Sequence, residues 1–280
     1  MTEQQTYLMA GVMGFPVMHS RSPKLHNHWL SKHGLIGHYM PLAVGPDGVE
    51  AALRALPALG FAGCNLTMPH KETAIPVMDR LSPLVRRIGA MNCVVVAPDG
   101  SLEGHNFEAF GYVDSLAQEV AGWRADAGPI VMLGAGGGAR AVAAGLLERG
   151  ATKIRVFNRT PERAAKLAAH LGPRVEALPW AQRFDAAADA ALVVNATSQG
   201  MHGQPPLDMR LDAAPIAAVV SDLIYSPRET PFLAEARRRG HPTVNGLGML
   251  LNQARLSFKA WFGVTPEVTP DVRSMIEATI

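Results

Sequence analysis

The chain's plainest chemical signal is Gly134-Ala135-Gly136-Gly137-Gly138-Ala139, a G-x-G-x-x-A turn. It follows Pro129–Leu133, a short apolar run with the length and flanks of a buried strand. Arg140–Arg149 then reads as a helix and Lys153–Phe157 as a second strand, so the turn sits at the first crossover of a βαβ unit. Glycines are needed there because a pyrophosphate must approach bare backbone and meet the N–H groups at the positive end of a helix. NAD-binding folds place an acid roughly 20 residues further on, against the ribose 2′-hydroxyl. This chain has Asn158, Arg159, Thr160 and Arg163 there instead. An acid would repel a 2′-phosphate, whereas guanidinium groups bind one through paired hydrogen bonds. The pattern favours NADP over NAD, against the plainer reading of Arg159 and Arg163 as solvated charges at a helix start.

Hydride transfer to or from an alcohol needs a proton donor or acceptor beside the reacting oxygen. Gly63-Cys64-Asn65-Leu66-Thr67-Met68-Pro69-His70-Lys71 ends a strand and gathers Asn, Thr, His and Lys within a few positions. Lys71 is the candidate, because an ammonium polarises a carbonyl and then donates a proton. Pattern alone leaves a surface lysine in a first helical turn equally open. Two further strand ends, Asn195–Met201 and Asp222–Pro227, carry small polar residues where ligands collect in open parallel sheets. Ordinary turn chemistry would look the same.

The elements that must position these residues alternate strand and helix. Tyr7–Gly14 reads as a strand, Ser22 as the cap of a helix over Lys24–His33 with Pro23 at its first position, and His38–Val44 as a strand. Gly48–Leu59 reads as an amphipathic helix, Gly60–Thr67 as a strand, and Pro69-His70-Lys71 as a helix start. Ala90–Ala97 and Ser101–Asn106 read as strands across the turn Pro98-Asp99-Gly100. Glu108–Val120 reads as a helix leading into the second unit. There Ala190–Ala196, Ala217–Ile224 and His241–Asn245 read as strands, and Thr230–Arg239 and Gly248–Phe262 as helices. The alanine-rich Gly172–Asp189 has no readable period.

Composition bounds the function. At 280 residues the chain is long enough for two modest domains, and 48% hydrophobic with 18% charged residues describes an ordinary globular protein. A net charge of +2 without a basic stripe argues against nucleic acid; Arg237-Arg238-Arg239 is more simply a helix C-terminus before Gly240. Cys64 and Cys93 read as core thiols, and no metal site is expected. No signal peptide or bilayer-length apolar span is read, so a cytoplasmic enzyme without a membrane partner is expected.

From about Tyr7 to Gly263 the chain resembles the shikimate dehydrogenase family. The motifs are His19-Ser20-Arg21-Ser22-Pro23, Asn65–Lys71, Gly89-Ala90-Met91-Asn92, Gly134–Arg140, Asn158-Arg159-Thr160, Asn195–Met201, Asp222–Pro231 and Gly246–Gln253, in this order. The resemblance implies reduction of 3-dehydroshikimate to shikimate with NADPH, on the route to aromatic amino acids. It implies that Ser20 and Ser22 bind the substrate carboxylate, with Tyr225 close by. Thr67, Asn92 and Gln253 would bind ring hydroxyls, and Lys71 would be the general acid/base. Thr197, Leu223 and Gly246 would join the glycine turn on the cofactor, Gly246 near the nicotinamide. Neutral donors and acceptors suit a small polyol acid, since an analogue lacking a hydroxyl leaves them unpaired.

The family's Asn-Thr-Asp-Gly motif, whose aspartate pairs with the lysine, departs here to Asn106-Phe107-Glu108-Ala109. Glu108 keeps the charge on a side chain longer by one methylene, roughly 1.5 Å, and misplacements near 1 Å can cost about a hundredfold in rate. Three readings follow: a shikimate enzyme with Lys71 and Glu108 catalytic, a relative retuned to quinate or an amino-substituted ring, or a non-catalytic NADP- or metabolite-binding paralogue. The expected architecture is α/β: an N-terminal α/β substrate domain over 1–107, to which 246–280 returns, and a Rossmann-type NADP domain over 108–245. Monomer and homodimer both remain open.

Overall fold

In a computed structural model, which describes residues 7–280, the chain divides into two compact units. One comprises residues up to Phe107 together with Gln253–Thr279, the other Glu108–Asn252.

The first unit opens with β1 (Leu8–Gly14), α1 (Ser22–Lys32) and β2 (Gly37–Ala43). It continues through α2 (Val49–Ala55), β3 (Phe61–Leu66), the single turn α3 (His70–Thr73) and β4 (Arg80–Leu81). Then come α4 (Pro83–Ile88), β5 (Cys93–Val96) and β6 (Leu102–His105). The strands form a mixed six-stranded sheet in the order β2-β1-β3-β5-β6-β4. β1 runs parallel to both β2 and β3, whereas β5 is antiparallel to β3 and β6. One face covers a core of Met13, Leu53, Leu66, Val85, Met91 and Val94; the other packs Ala10, Val12 and Tyr39 against Trp261.

Local differences from the sequence reading have physical causes. Helix α1 begins at Ser22, with Arg21 in the cap position and no side-chain cap bond. Ser22 is therefore not the cap; its own N–H faces the Ser20 hydroxyl at 3.3 Å. Helix α2 ends at Ala55, with Leu56 still helical as its cap, and Pro57 has no N–H with which to carry the ladder on. Helix α4 carries complete signals that the reading passed over. Ser82 accepts from the Val85 N–H, Pro83 stands at the first position, and Gly89 ends the helix at φ +69°.

The second unit runs α5 (Glu108–Glu119), β7 (Ile130–Leu133), α6 (Gly137–Glu148), β8 (Ile154–Phe157), α7 (Pro161–Leu171) and β9 (Val175–Ala177). It closes with β10 (Leu192–Asn195), β11 (Val219–Asp222), α8 (Pro231–Arg239), β12 (Thr243–Val244) and the first part of α9 (Leu247–Phe262). α10 (Pro270–Glu277) belongs to the first unit. The second sheet is parallel throughout, ordered β12-β11-β10-β7-β8-β9. Counted within the unit this is 3-2-1-4-5-6, the doubly wound Rossmann order, with its reversal between β7 and β10. Its strands β7, β10 and β11 are buried on both faces, as helix-covered parallel strands must be. The alanine-rich 172–189 stretch holds β9 and two short 3₁₀ turns.

The division between units falls inside α9, between Asn252 and Gln253, and not at residue 245. A continuous helix gives no loop to mark that change. Asn252 exchanges amide hydrogen bonds with Gln118, whereas Gln253 bonds within the first unit.

Candidate active site

In the first unit, polar side chains gather around the ends of β3 and β6 and the segment leading into β5. The Phe107 N–H donates to Asn92 Oδ1 at 2.8 Å, and Asn92 Nδ2 donates to Gln253 Oε1 at 2.6 Å. Asn65 donates from Nδ2 to the Asn92 carbonyl at 3.0 Å and to Ser257 Oγ at 2.9 Å. Its Oδ1 accepts from the Tyr39 hydroxyl at 2.8 Å. Residues from β2, β3, α9 and the segment before β5 thus join one network. Asn65 is a functional candidate to which the sequence reading gave no role; its place inside the Asn65–Lys71 motif was the available signal.

Thr67 follows β3 directly, its N–H bonded to the Met13 carbonyl at 2.9 Å. A Cβ on Gly14 would lie 2.3 Å from Thr67 Cγ2, so the ends of β1 and β3 meet there. Lys71 lies on α3, half-buried, and its carbonyl accepts from the Met91 N–H at 2.8 Å. That bond ties the lysine turn to the strand end that carries Asn92. Its neighbour His70 is buried and donates from Nε2 to the Val44 carbonyl at 2.7 Å, which makes it structural. Ser20 and Ser22 are both half-buried around the start of α1. The peptide bonds before Pro16, Pro69 and Pro227 are cis. Burial pushes the Cys93 thiol up to about 12 and raises the Cys64 thiol further, so neither is a thiolate nucleophile.

In the second unit the glycine turn follows β7. Gly134 has φ +113°, and a Cβ there would come within 2.6 Å of the Ala196 carbonyl, so the loops after β7 and β10 touch at the sheet's reversal. Ala135 and Ala139 are buried, while Gly136, Gly137 and Gly138 are partly open at the first turn of α6. A Cβ built on Gly136 would stand in open space but for Arg163 Nη2, at 4.0 Å. Arg159 and Arg163 are both exposed at the start of α7. Asn158 Nδ2 donates to the Thr160 carbonyl at 2.8 Å, holding the turn after β8. A dinucleotide fits these residues. Bare glycine backbone and a helix N-terminus would suit a pyrophosphate, and a guanidinium lies over the turn.

The ends of β10 and β11 are set by one buried carboxylate. Asp222 Oδ1 accepts from the Ile224 N–H at 3.0 Å and from Asn195 Nδ2 at 3.1 Å, and Oδ2 accepts from Thr230 Oγ1 at 2.8 Å. Burial pushes this carboxyl up to about 6 against those three bonds. Asn195 Oδ1 in turn accepts from the Thr197 N–H and hydroxyl at 3.0 and 2.7 Å, fixing Thr197. Leu223 follows Asp222 directly, and its carbonyl lies 2.0 Å from where a Cβ on Gly246 would be. Only glycine permits that approach. Tyr225 is half-buried just beyond and belongs to the second unit, not to the one that carries Ser20 and Ser22. Glu108 is buried at the first turn of α5, where a helix N-terminus favours a negative charge.

Among the described residues no cluster of His, Cys, Asp or Glu could hold a metal ion, and no helix is long and apolar enough to cross a membrane.

Three family models match the chain: the shikimate dehydrogenase substrate binding domain over residues 12–94, shikimate/quinate 5-dehydrogenase over 115–202, and the shikimate 5′-dehydrogenase C-terminal domain over 246–278. The shikimate dehydrogenase (NADP(+)) of Paramagnetospirillum magneticum is 50% identical over 268 residues, covering 96% of this chain and 97% of that one. The shikimate 5-dehydrogenase of Thermus thermophilus, solved in complex with NADP(H) and shikimate, superposes with a TM-score of 0.87 at 35% identity, over 98% of this chain and all of that one. The quinate dehydrogenase of Corynebacterium glutamicum, solved with NAD, gives 0.88 at 28% identity, over 98% of each chain. A Rossmann unit with its phosphate turn open, a mixed-sheet unit with its lysine turn tied to an asparagine strand end, and relatives matching along almost the whole length leave one assignment: the chain belongs to the shikimate dehydrogenase family.

Proposed function

We propose that this protein is an NADP-dependent oxidoreductase that interconverts shikimate and 3-dehydroshikimate. The hydrogen bond from Asn92 to Gln253, between residues 161 positions apart, carries the reading. It draws two amide side chains to the strand ends that also hold Thr67 and the lysine turn. The half-identical NADP-using relative supports the same activity and cofactor.

In this reading the first unit binds substrate and the second binds NADP. Ser20 and Ser22 take the carboxylate, and Thr67, Asn92 and Gln253 take ring oxygens. Gly134, Ala135, Gly136, Gly137, Gly138 and Ala139 receive the pyrophosphate. Asn158, Arg159, Thr160 and Arg163 receive the adenosine end and its 2′-phosphate, and Thr197, Leu223 and Gly246 line the remainder. NADP, when bound, accepts or supplies the hydride. Lys71 holds the proton that balances it: the ammonium gives a proton to the ketone oxygen during reduction and the amine takes one from the alcohol during oxidation. Glu108 supplies the carboxylate at the place where the family carries aspartate. Steady-state assays of shikimate and quinate with NADP⁺ and NAD⁺ test this. Fastest turnover with shikimate and NADP⁺ is expected, and no turnover with any pair would overturn it.

One observation favours a second reading, a retuned ring preference. The Phe107 ring stacks on His105 with centroids 5.7 Å apart and planes 12° apart, while its N–H holds Asn92. The residue that carries this ring thus also holds, through its backbone, a group assigned to the substrate. Reverting Phe107-Glu108-Ala109 to Thr-Asp-Gly tests it. Higher kcat/KM for shikimate supports retuning, and an unchanged value removes it.

A further inference from the structure

Tyr39 is the most tightly held residue near these groups. It is fully buried on the edge strand β2. Asn27 grips its backbone from both sides, accepting from the Tyr39 N–H and donating to its carbonyl, both at 2.9 Å. The His26 ring stacks on its ring at 4.2 Å and 7°. Trp261 lies against the same ring at 5.8 Å. Helix α1 thus holds the tyrosine at its backbone and ring.

Proton directions in the network follow from its main-chain partners. The Asn92 carbonyl can only accept, so the Asn65 amide group must present Nδ2 to it. Asn65 Oδ1 then faces Tyr39, and the tyrosine must donate. A phenylalanine would leave Asn65 Oδ1 without its donor and free the amide to turn. That would loosen its hold on the Asn92 carbonyl and on Ser257, one helical turn beyond Gln253 on α9.

We propose that Tyr39 is a positioning residue for the substrate site, its hydroxyl fixing the Asn65 amide. The inference rests on the shikimate reading only for the identity of the ligand. Tyr39 itself touches neither substrate nor cofactor in this role.

The test compares Tyr39→Phe with the wild type and with Tyr7→Phe, a control on an exposed tyrosine. With wild-type turnover established, Tyr39→Phe is expected to raise KM for shikimate by about tenfold, the scale of one unpaired buried acceptor. KM for NADP⁺ and kcat should stay within about twofold. An unchanged KM for shikimate, or equal losses in both KM values and kcat, would overturn the inference. A second readout needs no substrate. Asn65 side-chain amide protons, followed by NMR exchange in the free protein, should exchange faster in Tyr39→Phe and not in Tyr7→Phe. A wild type inactive on shikimate would refute the functional reading alone; the amide exchange would still decide the role of Tyr39, with equal rates refuting it.

Discussion

Asn92 donates to Gln253 with the one end of its amide that its backbone neighbour leaves free. The Phe107 N–H can only donate, so it pins Asn92 Oδ1, and Nδ2 must face Gln253. Gln253 therefore spends its oxygen on Asn92, and in the proposed site its NH₂ is the group that donates to the substrate. Gln253→Glu preserves the acceptor and removes both donors. The expected result is a KM for shikimate about ten- to a hundredfold higher, with a smaller change in kcat, read by steady-state kinetics. A variant with wild-type KM would show that Gln253 does not donate to substrate.

Lys71 stands on a four-residue turn held to the asparagine strand end by its own carbonyl. The turn's backbone bonds do not depend on the side chain, so Lys71→Ala should fold normally. As the proposed general acid/base, its loss is expected to lower kcat by about 10²–10⁴. NADPH binding, followed by fluorescence titration, should be unchanged. A rate within a few fold of wild type would remove Lys71 from the chemistry.

Arg163 reaches over Gly136, and Arg159 is exposed at the same helix start. If both meet the 2′-phosphate, Arg159→Ala with Arg163→Ala should raise KM for NADP⁺ by about tenfold or more and leave that for NAD⁺ nearly unchanged. The NADP⁺ effect should shrink as salt is raised, because both charges are exposed to screening. Equal losses for the two cofactors would mean that these arginines only shape the turn.

What could be read from sequence was local. The strand–glycine–helix–strand run was legible because its spacing is short and each position has its own steric reason. The motif residues of β3 and the lysine turn were legible for the same cause. Partners brought together by the fold were not: Asn65 meets Ser257 across 192 positions, and no pattern near either residue announces it. Nor could periodicity show that α9 changes partner between Asn252 and Gln253, since one apolar stripe serves both parts. Ser22 has the side chain of a helix cap, yet Arg21 holds the cap position. The parallel sense of the second sheet follows from its alternation of strands and helices, whereas the antiparallel placing of β5 in the first is visible only in the fold.

Asp222 gives the second unit a pH dependence whose sign can be worked out. Burial lifts its carboxyl to about 6, above the ordinary aspartate value, so the folded state binds this proton more tightly than the unfolded chain. Its contribution to stability is therefore full below about pH 4 and is lost as pH rises through 6. A shift of this size corresponds to at most about 3 kcal/mol. Asp222→Asn keeps an oxygen for the Ile224 N–H and removes the charge. The wild-type urea midpoint is expected to fall between pH 4.5 and 7 by more than that of the variant, with the difference growing across the interval (about two pH units, the span of the shift). Parallel curves for the two proteins would show that Asp222 titrates as an ordinary carboxylate, its three hydrogen bonds having offset burial in full.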